Sequence, residues 1–240
     1  MVDRSHREFQ SRPDVSPRPY LSTVGPNKTL QIGRRQYIHM SQILLIASSP
    51  RAESYSTRVA RKLAERLASR PGSSLTVRDL ARQPVPHIDD SFAVARNTPP
   101  HLLTDAHRST LLRSDALLAE LVAADTLIVA AAMINFGIPS SLKAYIDHVV
   151  RPGVTFRYGE KGPEGLLKGR KAYLVVARGG IYSEGPTQAL NFQDTYLKVA
   201  LGFMGITDVN VITMEGVAFG PVAAEKVEKA ALATVDAIAP

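Results

Sequence analysis

The chain has 240 residues, 45% of them hydrophobic and 21% charged, which suits one α/β domain with a substantial core and excludes a disordered or fibrous protein. The absence of cysteine excludes a disulfide framework, thiolate metal sites and thiol catalysis, so any redox chemistry must reside in a bound cofactor. Of the net charge of +7, +4 falls in residues 1 to 40, where seven Lys or Arg face three Asp or Glu; the mildly basic remainder suits a nucleotide cofactor and argues against nucleic acid as a partner.

Residues 1 to 40 mix Pro, Ser, Arg and single hydrophobes without helical or strand periodicity, and are expected to be a disordered N-terminal extension. A domain is expected over 41 to 240, with Met40, just before the first strand, as its natural start. No apolar run approaches the roughly 20 residues needed to cross a bilayer, and the first forty residues hold no apolar signal core, so no membrane association and a cytoplasmic location are expected.

Ile43 to Ala47 is apolar on both faces and too short for a helix, the pattern of a buried central strand. Val59, Leu63 and Leu67 with Ala60 and Ala64 share one helical stripe. Leu75 to Arg78 alternates like an edge strand, and the proline-punctuated stretch from Gln83 to His87 is loop. A second helix carries Leu111, Leu112, Leu117, Leu118 and Leu121 and ends at Asp125; Thr126 to Ala131 is again a two-faced strand. Pro139 opens a third helix through Leu142, Tyr145, Ile146 and Val149. Residues 153 to 170, rich in Gly and charge, read as a long excursion or hairpin, and long ordered loops tend to be functional. A strand at Ala172 to Ala177, a helix through Tyr196, Leu197, Ala200 and Phe203, a strand at Val209 to Met214 and a helix over 222 to 238 complete the chain. Five strands alternating with helices are the count of a doubly wound, flavodoxin-like α/β domain: a five-stranded parallel sheet in order 2-1-3-4-5, with helices on both faces and the ligand at the carboxyl ends of the strands.

Three loops after strands one, three and four are therefore the candidate site. The first, Ser48 to Arg58, is hydroxyl-rich and runs into a helix, where free amides, hydroxyls and a nearby Arg suit a terminal phosphate. It contains neither GxGxxG nor GxxxxGK[ST], which argues against a dinucleotide pyrophosphate and against an NTPase. Set against this, Ser54 or Ser56 is simply a helix cap. The second loop, Met133-Ile134-Asn135-Phe136, offers apolar walls and an amide to a flat ring, although Met and Phe near a strand end also serve as core. The third, Arg178-Gly179-Gly180-Ile181-Tyr182, lets backbone approach a ligand closely; the alternative is a solvated charge and a plain turn.

Together these loops resemble, in order, those of the FMN-dependent NADH:azoreductase family within the flavodoxin-like NAD(P)H:quinone reductases. The resemblance extends from about Met40 to the C-terminus and includes Val77-Arg78-Asp79-Leu80, Gly153 to Tyr158, Gly162 to Leu166 and Gly202 to Val209. It implies that Ser49, Ser56 and Thr57, with Ser54 and Arg58, hold the FMN phosphate. Met133, Ile134, Asn135 and Phe136 would line the flavin ring, and Arg178, Gly179 and Gly180 would run along its pyrimidine edge. It further implies a homodimer with two interfacial sites, closed by the excursion near Val154 to Gly165, and a ping-pong cycle. In that cycle NADH or NADPH reduces the flavin and leaves, and an azo compound or quinone then receives the electrons. No catalytic side chain is assigned. Two departures stand out: Ala132 and Ile134 occupy positions where the family has Pro and Tyr, and Tyr182 stands where the best-known members have His, as a possible donor to substrate.

Two other readings remain open at this point. The same hydroxyls could bind a substrate phosphate in a flavin-free transferase or hydrolase, or the chain could be a flavodoxin-type electron carrier, although such carriers tend to be small and acidic. His87, His101, His107 and His148 are scattered without metal-ligand spacing, and no metal site is expected.

Overall fold

A computed structural model describes residues 29–32, 36–39 and 41–240. Two short strands, β1 (Thr29–Ile32) and β2 (Gln36–His39), pair antiparallel. Most of the stretch expected to be disordered lies outside the described residues; within it, this pairing is a local feature that the sequence pattern did not suggest. Then follow β3 (Gln42–Ala47), α1 (Tyr55–Ala68), β4 (Ser74–Asp79), α2 (Asp90–Asn97), α3 (Asp105–Ala123), β5 (Thr126–Ala132) and α4 (Ser140–Val149). The chain continues through β6 (Phe156–Gly159), β7 (Gly162–Gly165), β8 (Lys171–Ala177), α5 (Gln193–Phe203), β9 (Asp208–Met214) and α6 (Pro221–Ala237).

Five of these strands form one parallel sheet in the order β4-β3-β5-β8-β9, which is the expected 2-1-3-4-5. The apolar runs of β3, β5 and β8 follow from their central position, since each must present hydrophobic side chains to both faces. Leu44, Ile46, Leu127, Val129, Leu174 and Val176 face the layer of α3, α4 and α5, while Ile43, Leu45, Ile128, Ala130, Tyr173 and Val175 face α1 and α6. The alternation within each strand is strict, so a one-residue slip would exchange the two sets. Among the described residues no helix is long and apolar enough to cross a membrane.

Two elements differ from expectation. Helix α2 falls in a stretch left unassigned between the proline-rich loop and α3; Asp89 caps it by accepting from the Phe92 amide, and Phe92 packs with Ala95 and Leu111 in a small satellite core. Helix α3 ends at Ala123, two residues before Asp125, whose carboxylate instead accepts from the Gln42 amide and ties the start of β5 to β3.

The excursion is a hairpin, with Phe156 opposite Gly165. Its base is seated on the end of α5, where Gly205 (φ +98°) closes a Schellman motif through Gly205 N–H to Gly202 and Ile206 N–H to Leu201. Gly165 lies directly against this turn: a Cβ there would stand 2.2 Å from the Gly205 nitrogen and 2.5 Å from its Cα. Backbone on both sides cannot yield as a flexible side chain would. Gly165→Ala is therefore expected to lower unfolding free energy by about 3 kcal/mol, at the upper end of overpacking costs, as measured by urea denaturation; an unchanged midpoint would mean that the hairpin base is not seated as described.

Candidate functional site

Parallel alignment of the sheet brings the ends of β3, β5 and β8 side by side: Ser48 N–H bonds to Ala130 O (3.1 Å), Met133 N–H to Ala177 O (2.8 Å) and Arg178 N–H to Met214 O (2.8 Å). The three loops named from the sequence are thus neighbours on one edge of the domain.

At the first loop, Ser54 is the N-cap of α1, its hydroxyl accepting from the Thr57 amide at 3.4 Å. It also shares a hydrogen bond of 3.0 Å with the Ser56 hydroxyl, and both side chains are buried. These two hydroxyls thereby shape the turn, as a cap does. The Ser48 hydroxyl is likewise committed, to Ala130 O at 2.7 Å. Ser49 differs: it is buried, its oxygen accepts from the Arg51 amide (3.3 Å), and its own proton meets no acceptor among the described residues. The amides of Tyr55 and Ser56, in the first turn of a 14-residue helix, also have no partner there. Ser49, the Thr57 hydroxyl, these amides and the one proton left over from the Ser54–Ser56 pair are the uncommitted donors of the loop among the described residues, of the kind that hold a phosphate dianion.

Arg58 and Arg178, both expected among the cofactor contacts, are engaged with carboxylates of the protein itself. Arg58 grips Glu228 of α6 through Nε (2.8 Å) and a terminal nitrogen (2.9 Å), lies 4.7 Å from the centre of the Tyr55 ring, and has its pKa raised chiefly by the bond to Glu228. Its task is to pin α1 to α6. Arg178 is almost wholly buried, at 2% side-chain exposure, and divides its guanidinium among Gln193 Oε1 (3.1 Å), Glu215 Oε1 (2.8 Å) and Asp194 Oδ1 (2.6 Å). Burial alone would push the Glu215 carboxyl up, but hydrogen bonds from Ser183, the Tyr182 amide and Arg178 hold it below the usual carboxylate range. The same opposition holds Asp194 low, with Arg178 as the main counterweight to burial. Removing one partner from a buried pair of this kind costs about 3–5 kcal/mol, because the other charge is stranded.

The second loop is a tight two-residue turn. Ile134 and Gly137 exchange both backbone hydrogen bonds at 3.0 Å, and the residues between them, Asn135 and Phe136, have φ of +46° and +71°. Positive φ at both central positions is the type I′ pattern, in which Asn is at home and the second position favours Gly. Phe136 there is strained, and strain of this kind persists only where the surroundings over-determine it. Its carbonyl accepts from Phe192 N–H (3.1 Å), its ring lies edge-on to Tyr182 at 6.3 Å, and the residue is 44% exposed. The Asn135 and Phe136 amides are free of protein partners among the described residues.

At the third loop, Gly179 and Gly180 lend their carbonyls to Ala218 and Gly216 and leave their amides uncommitted. A Cβ on Gly180 would lie 3.4 Å from the Tyr182 ring, an ordinary van der Waals contact, so the ring packs directly over this glycine. Gln193, Asp194, Glu215 and Phe192 were not foreseen in the sequence; the first three lie 15, 16 and 37 residues from Arg178, Phe192 lies 56 residues from Phe136, and none carries a local motif. Among the described residues no cluster of three His, Asp or Glu could hold a metal ion.

Comparison with known proteins places the fold in a family. A family model described as flavodoxin-like fold matches residues 41–238. The chain is 53% identical over 201 residues to an FMN-dependent NADH:quinone oxidoreductase 1 of Rhizobium etli, covering 83% of this chain and 98% of the relative. Among solved structures, an azoreductase of Bacillus anthracis superposes with a TM-score of 0.75 at 26% identity, covering 82% of this chain and 97% of the other. An FMN-dependent NADH-azoreductase of the same organism, solved in complex with FMN, gives 0.71 at 28% identity, covering 82% and 100%.

The left-handed backbone at Phe136 can be isolated from the loss of its ring by comparing two truncations. Phe136→Gly is expected to be more stable than Phe136→Ala by about 1 kcal/mol, since only glycine adopts this φ without cost. Urea unfolding of the two variants measures the difference, and an alanine variant equal to or more stable than glycine would contradict the strain.

Proposed function

The chain belongs to the FMN-dependent NADH:quinone oxidoreductases of flavodoxin-like fold, and from that premise we propose that it binds FMN at the three loops and uses NADH to reduce quinones and azo compounds in the cytosol. The observation that carries this reading is the convergence of uncommitted donors. The Ser49 hydroxyl and the Tyr55 and Ser56 amides stand at the end of β3, and the free amides of Asn135, Phe136, Gly179 and Gly180 stand at the ends of β5 and β8. The first group fits a phosphomonoester, and the second fits the polar edge of a flat heterocycle beside the half-exposed Phe136 ring.

In this reading FMN, when bound, supplies the two-electron chemistry, passing electrons from nicotinamide to acceptor. The protein's part is to hold and orient. Ser49, the Thr57 hydroxyl and the first turn of α1 would take the phosphate, with the Ser54 and Ser56 side chains fixing that turn; Met133, Ile134 and Phe136 would form an apolar wall. The uncommitted backbone amides of Gly179 and Gly180 would face the pyrimidine edge as donors, a preorganised electrostatic contribution. Tyr182, edge-on to Phe136, offers its hydroxyl to the acceptor from the rim of the slot. Ile134 cannot donate a hydrogen bond, so the slot is expected to favour apolar quinones over acceptors that need a donor on that side.

A homodimer completes the proposal. Ile134, Phe136, Leu190 and Phe192 are all exposed large apolar residues around the second loop, more than a solvated rim needs. A second copy seated there would cover them and wall the slot.

Ser49→Ala is expected to weaken FMN binding by about 10- to 100-fold, the scale of one charge-assisted hydrogen bond, with the apoprotein's unfolding midpoint little changed. Fluorescence titration of FMN into apoprotein measures it. Unchanged affinity would move the phosphate away from the α1 turn.

A further inference from the structure

The segment from Ile181 to Leu190 is poorly held by packing: Ile181 and Tyr182 are half-buried, and Ser183 to Leu190 are exposed at every position. Behind it lies a cavity of about 330 Å³ between Tyr182, Gln188, Asn191, Thr195 and Thr213. Apolar contact therefore does not fix the direction of the Tyr182 ring. Thr187 Oγ1 donates to Ile181 O (2.6 Å) and Gln188 Nε2 to Ser183 O (3.0 Å) within the segment itself, and one carboxylate ties the turn to the interior. Glu215 Oε1 accepts from Tyr182 N–H at 2.8 Å and from Arg178 at 2.8 Å, and Oε2 accepts from the Ser183 hydroxyl. The contacts continue inward: Arg178 Nε reaches Gln193 Oε1 at 3.1 Å, and Gln193 Nε2 donates to Ala131 O at 3.1 Å, two residues before Met133. Gln193 and Arg178 are both buried, so an unbroken line of polar contacts runs from the end of β5, across β8, to the Tyr182 turn. A fully satisfied buried network is rigid and geometrically specific.

We propose that Glu215 is a positioning residue for the acceptor: by clamping the Tyr182 amide and Ser183 to Arg178, it aims the Tyr182 ring at Phe136 and so sets the rim of the substrate slot. The inference rests on the proposed quinone reductase activity and adds to it a residue that touches neither flavin nor substrate. The oxygen at Oε1, rather than the negative charge, carries the role, since that atom alone meets both the Tyr182 amide and Arg178.

The test uses FMN-loaded protein and four variants: Glu215→Ala, Glu215→Gln, Tyr182→Ala and the double Glu215→Ala/Tyr182→Ala. The first readout is amide hydrogen exchange by mass spectrometry. Glu215→Ala is expected to speed exchange in residues 181–184 by about tenfold or more, while residues 49–58 are unchanged, as local opening confined to one segment requires. The second is steady-state kinetics with NADH and 1,4-benzoquinone. Glu215→Ala is expected to raise the quinone KM about tenfold with kcat within about twofold and FMN affinity unaltered. Glu215→Gln, which keeps the oxygen, returns KM to within about twofold of the parent, and the double variant is no worse than Tyr182→Ala alone, because the two act through one contact. If alanine at 215 does not fold, Ser183→Ala, which removes one exposed hydroxyl, moves both readouts the same way by about twofold. Multiplying effects in the double variant, failure of Gln to rescue, or unchanged exchange at 181–184 would each overturn the proposal. A parent protein that retains no flavin would instead overturn the activity reading, and the exchange measurement on that protein still decides whether Glu215 holds the turn.

Discussion

Burial of a parallel sheet on both faces is the constraint from which the rest of this structure follows. Leu44, Ile46, Leu127 and Val129 on one side and Ile43, Leu45, Ile128 and Ala130 on the other leave no room for polar groups along β3 and β5. Chemistry is displaced to the strand ends, where the chain must turn and its backbone groups are no longer paired within the sheet. The uncommitted amides of Tyr55, Ser56, Asn135, Phe136, Gly179 and Gly180 arise in this way, and all lie at the carboxyl edge. The two clusters of the core are therefore the scaffold that gathers the donors into one place.

Precision at that edge comes from a different source. The turn at Asn135 and Phe136 holds two residues at positive φ, and the Arg178, Asp194, Glu215 and Gln193 contacts tie the neighbouring turn to the interior. Strained backbone and buried charge are both costly to the folded state, and here they flank the same slot. A loop held only by surface hydrogen bonds would sample many arrangements; these two devices give the rim one. Arg58 does comparable work on the other flank, fixing α1 to α6 through Glu228 so that the first turn of α1 keeps its direction.

The layers and strand order were legible in the sequence because both faces of each central strand are marked by apolar residues, and because prolines and glycines punctuate the loops. Helix α2 escaped notice although Asp89 is an ordinary cap: only Phe92 and Ala95 of its eight residues are buried, too few for a periodic stripe. Of the site, the loops were legible and the division of labour within them was not. Which of Ser54 and Ser56 keeps a free proton depends on the bond between them, and whether Arg178 faces ligand or interior depends on carboxylates 16 and 37 residues away. Those pairings exist only once the sheet has assembled. The left-handed Phe136 was hidden for a related reason, since Asn-Phe lacks the glycine that normally announces such a turn.

The central claim is that these three strand ends form a flavin site that accepts electrons from nicotinamide, and the visible spectrum addresses it most directly. Protein reconstituted with FMN and desalted is expected to keep a flavin absorption band, and anaerobic NADH is expected to bleach it, with the band returning on addition of a quinone. Protein that emerges from desalting colourless, or that keeps its band unchanged in NADH, would contradict the account.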